Sequence, residues 1–216
     1  MLSIQNLKLF SNSSENMNLS IEKGSCVHVS GEPGSGKTKL FKILTGTLRP
    51  IQGDVLYNDT SIYNSDFIEL GRTRKMIGAI FENPIILSNL TLKDNIDFVL
   101  KARGVTWDND IKAMIRGFNL DKSLMKRRME LCRDEIVRFN LLKIISTKPS
   151  FIFFDELCLS TYEESNNLFL DWLKTEREKV STLFFGHVPN KLQFLINQEF
   201  NIGSDLFNID RRKYAG

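Results

Sequence analysis

Short apolar runs separated by polar clusters open the chain. Residues 2–10, 17–21 and 25–30 are rich in Leu, Ile, Met and Val, and the polar stretch SNSSEN lies between the first two. Runs of this length, bounded by turn-forming residues, predict β-strands. Two later runs, residues 53–58 and 76–81, predict strands for the same reason.

The pattern between residues 84 and 148 changes to a helical one. Thr91 and Asp94 in the stretch TLKD have the spacing of a capping box, so they predict the start of a helix. A second, longer helix is predicted over residues 123–146. This middle segment is therefore predicted to be helical throughout.

Strands return after the helical segment. Residues 151–155 and 182–186 are apolar throughout, and a helix is predicted between them, from about Glu163 to Lys179. Strands that are buried on both faces have this composition. The alternation of strand, helix and strand predicts a parallel sheet covered by helices, and hence an α/β fold.

Composition and charge limit the classes of protein to which this chain can belong. With 216 residues, 42% of them hydrophobic, the chain suits one α/β domain or a domain with an inserted subdomain. The net charge is +3 and the basic residues are spread out, so nucleic acid is not a predicted partner. Three irregularly spaced Cys residues form neither a metal signature nor a disulfide framework, which favours a reducing compartment. No apolar run reaches the roughly 18 residues of a membrane span, and the N-terminal residues lack a signal-peptide pattern, so membrane contact is expected only through partners.

A glycine-rich phosphate loop is predicted in the stretch GEPGSGKT, which fits the pattern G-x-x-x-x-G-K-[ST] between a strand and a helix. Gly34 and Gly36 let the backbone curl, so that its N–H groups and the helix N-terminus face phosphates. Lys37 is predicted to reach the β- and γ-phosphates, and Thr38 to offer its hydroxyl to Mg²⁺. The predicted cofactors are therefore ATP and Mg²⁺. The predicted ATP-binding residues of this loop are Gly31, Glu32, Pro33, Gly34, Ser35, Gly36, Lys37, Thr38 and Lys39.

Two carboxylates follow the buried strand in the stretch FIFFDE. Asp155 is predicted to hold Mg²⁺ through water, and Glu156 to polarise the water that attacks the γ-phosphate. An acidic residue at a strand end is common by itself. The prediction therefore depends on its combination with the phosphate loop.

Together these segments resemble the ATP-binding cassette family, the nucleotide-binding subunits of ABC transporters, over nearly the whole chain. Residues 40–59 resemble the stretch after the phosphate loop, residues 77–98 the Q-loop and the start of the helical subdomain, and residues 185–190 the switch-histidine loop. The resemblance implies a single ABC ATPase domain over residues 1–216. It implies a P-loop NTPase core with a mostly parallel sheet (1–83 and 149–216), an antiparallel β subdomain at the N-terminal side, and an inserted α-helical subdomain (84–148).

The resemblance also implies roles for single residues. His187 would contact the γ-phosphate, and with Lys37 and Glu156 it completes the predicted catalytic set. Phe10 stands where the family stacks an aromatic ring on adenine; ordinary packing is the alternative. Glu82 replaces the Q-loop glutamine, keeping an oxygen that can ligate Mg²⁺ but losing the amide donor.

The family's signature sequence, Leu-Ser-Gly-Gly-Gln, is altered here to LCRDE. Cys132, Arg133 and Asp134 replace Ser-Gly-Gly, so side chains stand where bare backbone should approach the partner's ATP. The charge of Asp134, at about 4 Å and an effective dielectric near 20, is expected to oppose closure by about 4 kcal/mol. The next loop, residues 157–162, lacks the family's aspartate. This degenerate signature implies an asymmetric dimer or a slow ATPase.

The predicted function is that of the ATP-binding and ATP-hydrolysing subunit of an ABC membrane transporter. Its partners would be an integral membrane permease and a second ABC ATPase subunit, in a homodimer or heterodimer. It would lie peripherally on the inner face of a membrane, on the bacterial cytoplasmic side or the mitochondrial matrix side. The stretch LTGTLRP resembles the cassette of the haem exporter of cytochrome c maturation. The alternative is a catalytically weak, structural ATP-binding subunit of a larger membrane complex; a cassette acting on nucleic acid is a third, remoter reading.

Overall fold

The computed structural model describes residues 1–11, 16–81, 85–155, 163–176 and 178–203. These residues contain nine β-strands, and most of them match the apolar runs of the sequence within one or two residues. The strands are β1 (Leu2–Lys8), β2 (Met17–Ile21), β3 (Cys26–Gly31), β4 (Gln52–Tyr57), β5 (Thr60–Ser61), β6 (Ile77–Ile80), β7 (Phe151–Phe154), β8 (Ser181–Phe185) and β9 (Gln198–Ile202).

The strands form two sheets. An antiparallel sheet has the order β2-β1-β4-β5, and a parallel sheet has the order β6-β7-β8-β3-β9. The strand β3, which runs into the predicted phosphate loop, is thus flanked by parallel strands on both sides. The α/β class, the parallel sheet and the antiparallel sheet near the N-terminus are confirmed.

Seven α-helices lie in the described residues. Three of them, α3 to α5, fall between β6 and β7, in the segment predicted as helical. The division of the chain into a core and a helical subdomain at residues 84 and 148 stays a prediction. The helices are α1 (Lys37–Leu44), α2 (Phe67–Lys75), α3 (Leu92–Arg103), α4 (Asn109–Gly117), α5 (Arg133–Ile145), α6 (Glu163–Glu176) and α7 (Asn190–Gln193).

Helix caps decide where α3 and α5 begin. The predicted capping box of α3 is present: Thr91 Oγ1 accepts from the Asp94 N–H at 3.1 Å, and the Asp94 carboxylate accepts from the Thr91 N–H at 3.2 Å. The continuous helix predicted over residues 123–146 is wrong, because α5 begins only at Arg133. Two short 3₁₀ turns, at Asp121–Ser123 and Arg128–Glu130, precede it.

Tertiary contacts explain the late start of α5. The segment before it pairs with the first turn of α3 through backbone bonds from Leu92 N–H to the Lys126 carbonyl and from Lys93 N–H to the Leu124 carbonyl, both at 2.9 Å. Cys132 then has extended backbone angles and caps the helix. The local helical preference of this basic stretch therefore yields to its contacts with α3.

Aromatic packing joins the phosphate-loop helix to the ends of two strands. The fully buried Phe41 ring of α1 packs edge to face on Phe81, at 5.2 Å between centroids, and on Phe185, at 5.5 Å. Phe81 follows β6, and Phe185 ends β8. Contacts between aromatic rings of this kind stabilise beyond their buried area. They fix α1 relative to the loops that follow both strands.

Candidate nucleotide-binding site

The predicted site residues collect at the carboxyl edge of the parallel sheet. In the order β7-β8-β3, three adjacent strands end side by side, so their following loops meet at one edge. Asp155 follows β7, His187 follows β8, and Lys37 begins the helix after β3. Glu82 and Glu156 lie outside the described residues.

The glycines of the phosphate loop adopt conformations that other residues rarely reach. Gly34 and Gly36 have φ angles of +83° and +105°. Gly36 is the N-cap of α1 and has no side chain. The backbone N–H groups in the first turn of α1 therefore have no side-chain cap. A Cβ on Gly31 would lie 2.5 Å from the Ile202 carbonyl oxygen. Glycine is therefore required here by both backbone angle and space.

Two polar groups inside the loop are positioned to bind an anion. The Lys37 ammonium donates to the carbonyl oxygens of Gly31 at 2.7 Å and Glu32 at 3.1 Å. The Ser35 hydroxyl is buried and has no hydrogen-bond partner among the described residues. An uncapped helix start, an ammonium group and an unpaired buried hydroxyl fit a phosphate group.

The remaining loop residues lie around this cradle. Glu32, Pro33 and Thr38 are exposed, which leaves the Thr38 hydroxyl accessible to a metal ion. Within the described ranges, no group of three His, Cys, Asp or Glu side chains is placed to hold a metal ion by itself.

Phe10 packs directly on the phosphate loop. A Cβ on Gly36 would lie 3.0 Å from the Phe10 ring, and the Lys39 ammonium lies 4.6 Å from the centroid of that ring. The ring is half-buried. Its contact with the loop fits the predicted place beside the nucleotide, whereas its stacking on adenine stays a prediction.

Asp155 and His187 differ in their exposure. Asp155 is 8% exposed, and its N–H donates to the Ile80 carbonyl at 2.9 Å. His187 is exposed and lines a cavity of about 430 Å³ together with Lys37 and Gly186. His187 therefore borders the same cavity as Lys37, and Asp155 lies buried at the same edge of the sheet.

Sequence reasoning missed two further residues that line this cavity. His28 lies on β3 and Glu199 on β9, and the two are cross-strand neighbours. A signal was present, since His28 is a polar residue inside an otherwise apolar strand. Its partners could not be read from the sequence, because they lie about 160 to 170 residues further along.

The altered signature forms the first turn of α5. Cys132 is the N-cap, and its Sγ accepts from the Glu135 N–H at 3.5 Å. The Asp134 carboxylate lies 2.7 Å from Arg138 Nε, one helical turn further on. The Asp134 charge therefore has a cation beside it on its own helix, and its predicted opposition to closure stays a prediction. Arg133 is exposed and adds bulk where the family has glycine.

Glu135 holds this turn together. Its carboxylate accepts from the Cys132 N–H at 2.8 Å, from Lys126 Nζ at 2.8 Å and from the Ser123 hydroxyl. Burial alone would raise the pKa of Glu135, but these hydrogen bonds outweigh it and lower the pKa to about 2. The side chain is only 11% exposed, so these bonds are weakly screened by solvent.

Glu135→Gln is expected to lower the free energy of unfolding by about 2 kcal/mol at neutral pH. The folded pKa is depressed, so this stabilisation is complete above the ordinary value of 4.5 and is lost as the pH falls from 4.5 towards 2. Urea denaturation between pH 7 and pH 3 should show the two proteins converging in acid. Asp171→Asn, at an exposed carboxylate on α6, should change stability by less than about 0.5 kcal/mol at every pH. A constant gap for Glu135→Gln across the pH range would contradict the prediction.

A glycine loop between a strand and a helix, with an acidic residue at the end of a nearby parallel strand, defines a P-loop nucleotide-binding domain. The family model described as "ABC transporter" matches residues 14–158, more than half of the chain. The chain belongs to the ABC transporter family, and its domain is the nucleotide-binding domain of that family.

Curated relatives are transport ATP-binding proteins. The chain is 34% identical over 66% of its length to the ergothioneine transport ATP-binding protein EgtV of Helicobacter pylori. It is 28% identical over 66% of its length to the intermembrane phospholipid transport system ATP-binding protein MlaF of Haemophilus influenzae. It is 28% identical over 74% of its length to the methionine import ATP-binding protein MetN of Rhodopseudomonas palustris. The match spans 66%, 55% and 44% of the lengths of these relatives.

Solved structures share the fold. An ATP-binding subunit of an ABC transporter has a TM-score of 0.80 at 16% identity, covering 93% of this chain and 85% of that one. A dimeric ATP-binding cassette in a post-hydrolysis state, bound to ADP and Pi, has a TM-score of 0.75 at 19% identity, covering 94% of each chain. In the described part of this chain, no helix is both long and apolar enough to span a membrane.

Proposed function

We propose that this protein is the ATP-binding and ATP-hydrolysing subunit of an ABC membrane transporter. The observation that carries the proposal is the position of Lys37, Asp155 and His187 at one edge of the parallel sheet, together with a glycine loop whose conformation fits phosphate. Membership of the ABC transporter family supports the same activity.

Each residue of the site has a separate role in ATP hydrolysis. Lys37 binds the β- and γ-phosphates, and His187 contacts the γ-phosphate. Thr38 and Asp155 would hold Mg²⁺, with Glu82 as a further ligand; when bound, the ion neutralises charge between the phosphates. Glu156 accepts the proton of the attacking water.

A groove beside α3 supports a permease as partner. A cavity of about 550 Å³ lies between α3 and β6, and the 61% exposed Phe98 ring borders it. Arg103 forms a fixed wall, because it donates to the carbonyl oxygens of Arg74 and Ile77, both at 2.9 Å. A cytosolic helix of the permease, with an apolar face towards Phe98, would fit this groove.

Lys143 of α5 also lines the groove. Its ammonium donates to the Ile85 carbonyl at 3.0 Å, and burial lowers its pKa to about 8. The Ile85 side chain beside it is 67% exposed. Apolar side chains beside the restrained charges of Arg103 and Lys143 support protein contact here.

The altered signature supports an asymmetric dimer. A heterodimer would pair the phosphate loop of this chain with an intact signature on a second ATPase subunit, giving one competent site. The signature turn of this chain would meet the partner's ATP with Cys132 and Arg133, and would close poorly. Such an assembly would lie peripherally on the inner face of a membrane, held by the permease.

The transported molecule is proposed only as a class. Relatives are named for transport of ergothioneine, methionine and phospholipid. The haem exporter of cytochrome c maturation stays a prediction from the stretch LTGTLRP, and none of these names supports it. The alternative of a structural ATP-binding subunit is supported by three altered motifs, namely Glu82 in the Q-loop, the signature at residues 131–135 and the loop at residues 157–162.

Co-purification from native membranes tests the proposed assembly. The tagged chain should recover a permease and a second ATPase subunit, and the complex should hydrolyse Mg·ATP. Phe98→Asp should reduce permease recovery at least about tenfold, because a charge would be buried in the groove. Phe194→Asp, at a ring that is 64% exposed and lies just before β9 at the other edge of the sheet, is the matched control and should leave recovery unchanged. Recovery of the chain without any membrane protein would contradict the proposal.

A further inference from the structure

His28 connects the phosphate-loop strand to the loop that carries His187. Its Nε2 lies 2.7 Å from the Gly186 carbonyl oxygen, and its Nδ1 lies 3.1 Å from Glu199 Oε1. The Gly186 carbonyl belongs to the peptide bond that joins Gly186 to His187. A side chain of β3 therefore contacts the peptide group that directly precedes the Cα atom of His187.

Both backbone polar groups of Gly186 are hydrogen-bonded to residues of β3. Its N–H donates to the Val29 carbonyl at 3.0 Å, and its carbonyl accepts from His28 at 2.7 Å. The φ angle of Gly186 is +83°, so the chain turns away from the strand direction here. The direction in which the chain leaves β8 therefore depends on the hydrogen bond from His28.

The contacts of His28 also define the orientation of its ring. A carbonyl oxygen can only accept, so the 2.7 Å contact makes Nε2 the donor to Gly186. Glu199, on the neighbouring strand β9, contacts the other ring nitrogen at 3.1 Å and holds the ring in the orientation that makes this bond.

We propose that His28 is a positioning residue for ATP hydrolysis. Its Nε2–H fixes the Gly186–His187 peptide, and Glu199 orients the ring. His28 acts only through His187 and does not touch the phosphates. The proposal rests on the proposed function, in which His187 contacts the γ-phosphate.

Amide hydrogen exchange tests the contact without any need for catalysis. His28→Leu removes the donor at similar volume, so the Gly186 amide should exchange about five- to tenfold faster. The Thr182 amide, which donates to the Ser25 carbonyl near the other end of β8, should be unchanged and shows that the variant is folded. His28→Gln, whose amide can still donate to Gly186, should restore slow exchange. Equal Gly186 exchange in the wild type and His28→Leu would overturn the proposal.

Kinetics of the purified transporter complex test the link to catalysis. His28→Leu should lower kcat about tenfold with KM for ATP within about twofold, and His28→Gln should recover most of the rate. An unchanged kcat in His28→Leu would overturn the proposal even if exchange at Gly186 increased. A wild-type complex that binds but does not hydrolyse ATP would instead contradict the proposed function, and the positioning role would fall with it.

Discussion

Lys37→Ala is expected to lower ATP hydrolysis by the purified transporter complex about 100- to 1,000-fold. The Lys37 ammonium lies within the phosphate loop, held by the Gly31 and Glu32 carbonyl oxygens at 2.7 and 3.1 Å. On nucleotide binding it would exchange these neutral acceptors for charged phosphate oxygens, which form stronger hydrogen bonds. Release of phosphate from Mg·ATP measures the rate, and a fluorescent ATP analogue measures affinity, which should fall at least about tenfold.

Lys42→Ala is the matched control for this change. Lys42 lies on the same helix α1 and is exposed in its last turn, so the same charge is removed away from the loop. Hydrolysis and affinity should both stay within about twofold of the wild type. If Lys37→Ala bound Mg·ATP as tightly as Lys42→Ala, the proposed phosphate site would be wrong.

The core strands could be predicted because their composition is decided by local burial. The run at residues 151–155 is apolar throughout, and β7 (Phe151–Phe154) lies in the middle of the parallel sheet with every residue buried. The strand β9 (Gln198–Ile202) was missed, since it lies at the sheet edge and alternates polar and apolar side chains over only a few positions. Its place beside β3 depends on a contact with residues far away in the chain, which no local pattern contains.

The prediction of a continuous helix over residues 123–146 was wrong for the opposite reason, because tertiary contacts override the local composition. Residues 123–146 have a composition that favours a helix, but the first part pairs with the start of α3, and Cys132 with Glu135 sets a new helix start. This error also concealed the cap of the signature turn. In a continuous helix the Cys132 N–H would bond within the helix, whereas at the start of α5 it donates to the Glu135 carboxylate.

The site was predictable where a sequence motif encodes backbone shape. The spacing of Gly31, Gly36 and Lys37 determines a loop, and the positive φ angles of Gly34 and Gly36 agree with it. His28 was not predictable, because its function depends on two acceptors brought by β8 and β9. The sequence therefore predicts each loop at the sheet edge separately, but it does not predict the contacts between these loops.

Glu156→Gln is expected to lower hydrolysis by the transporter complex about 100- to 10,000-fold while ATP binding is kept. Asp155, which precedes Glu156 in the sequence, is buried and directly follows β7, at the edge of the sheet where Lys37 and His187 lie. A glutamine there has the same size and can still donate to water, but it cannot accept a proton. Glu178→Gln, at an exposed carboxylate after α6, makes the same chemical change away from the site and should hydrolyse ATP at the wild-type rate.

This comparison separates the two candidate functions. An ATPase subunit requires a large difference in rate between the wild type and Glu156→Gln, whatever partner supplies the intact signature. A structural ATP-binding subunit requires none, because ATP bound by Lys37 and the loop N–H groups would stabilise the fold without being cleaved. Equal, background rates in both proteins, with Mg·ATP still bound, would therefore reject hydrolysis and leave the structural function. A slow but Glu156-dependent rate would instead attribute the slowness to the altered signature, because the groups that act on water and the γ-phosphate would then be working.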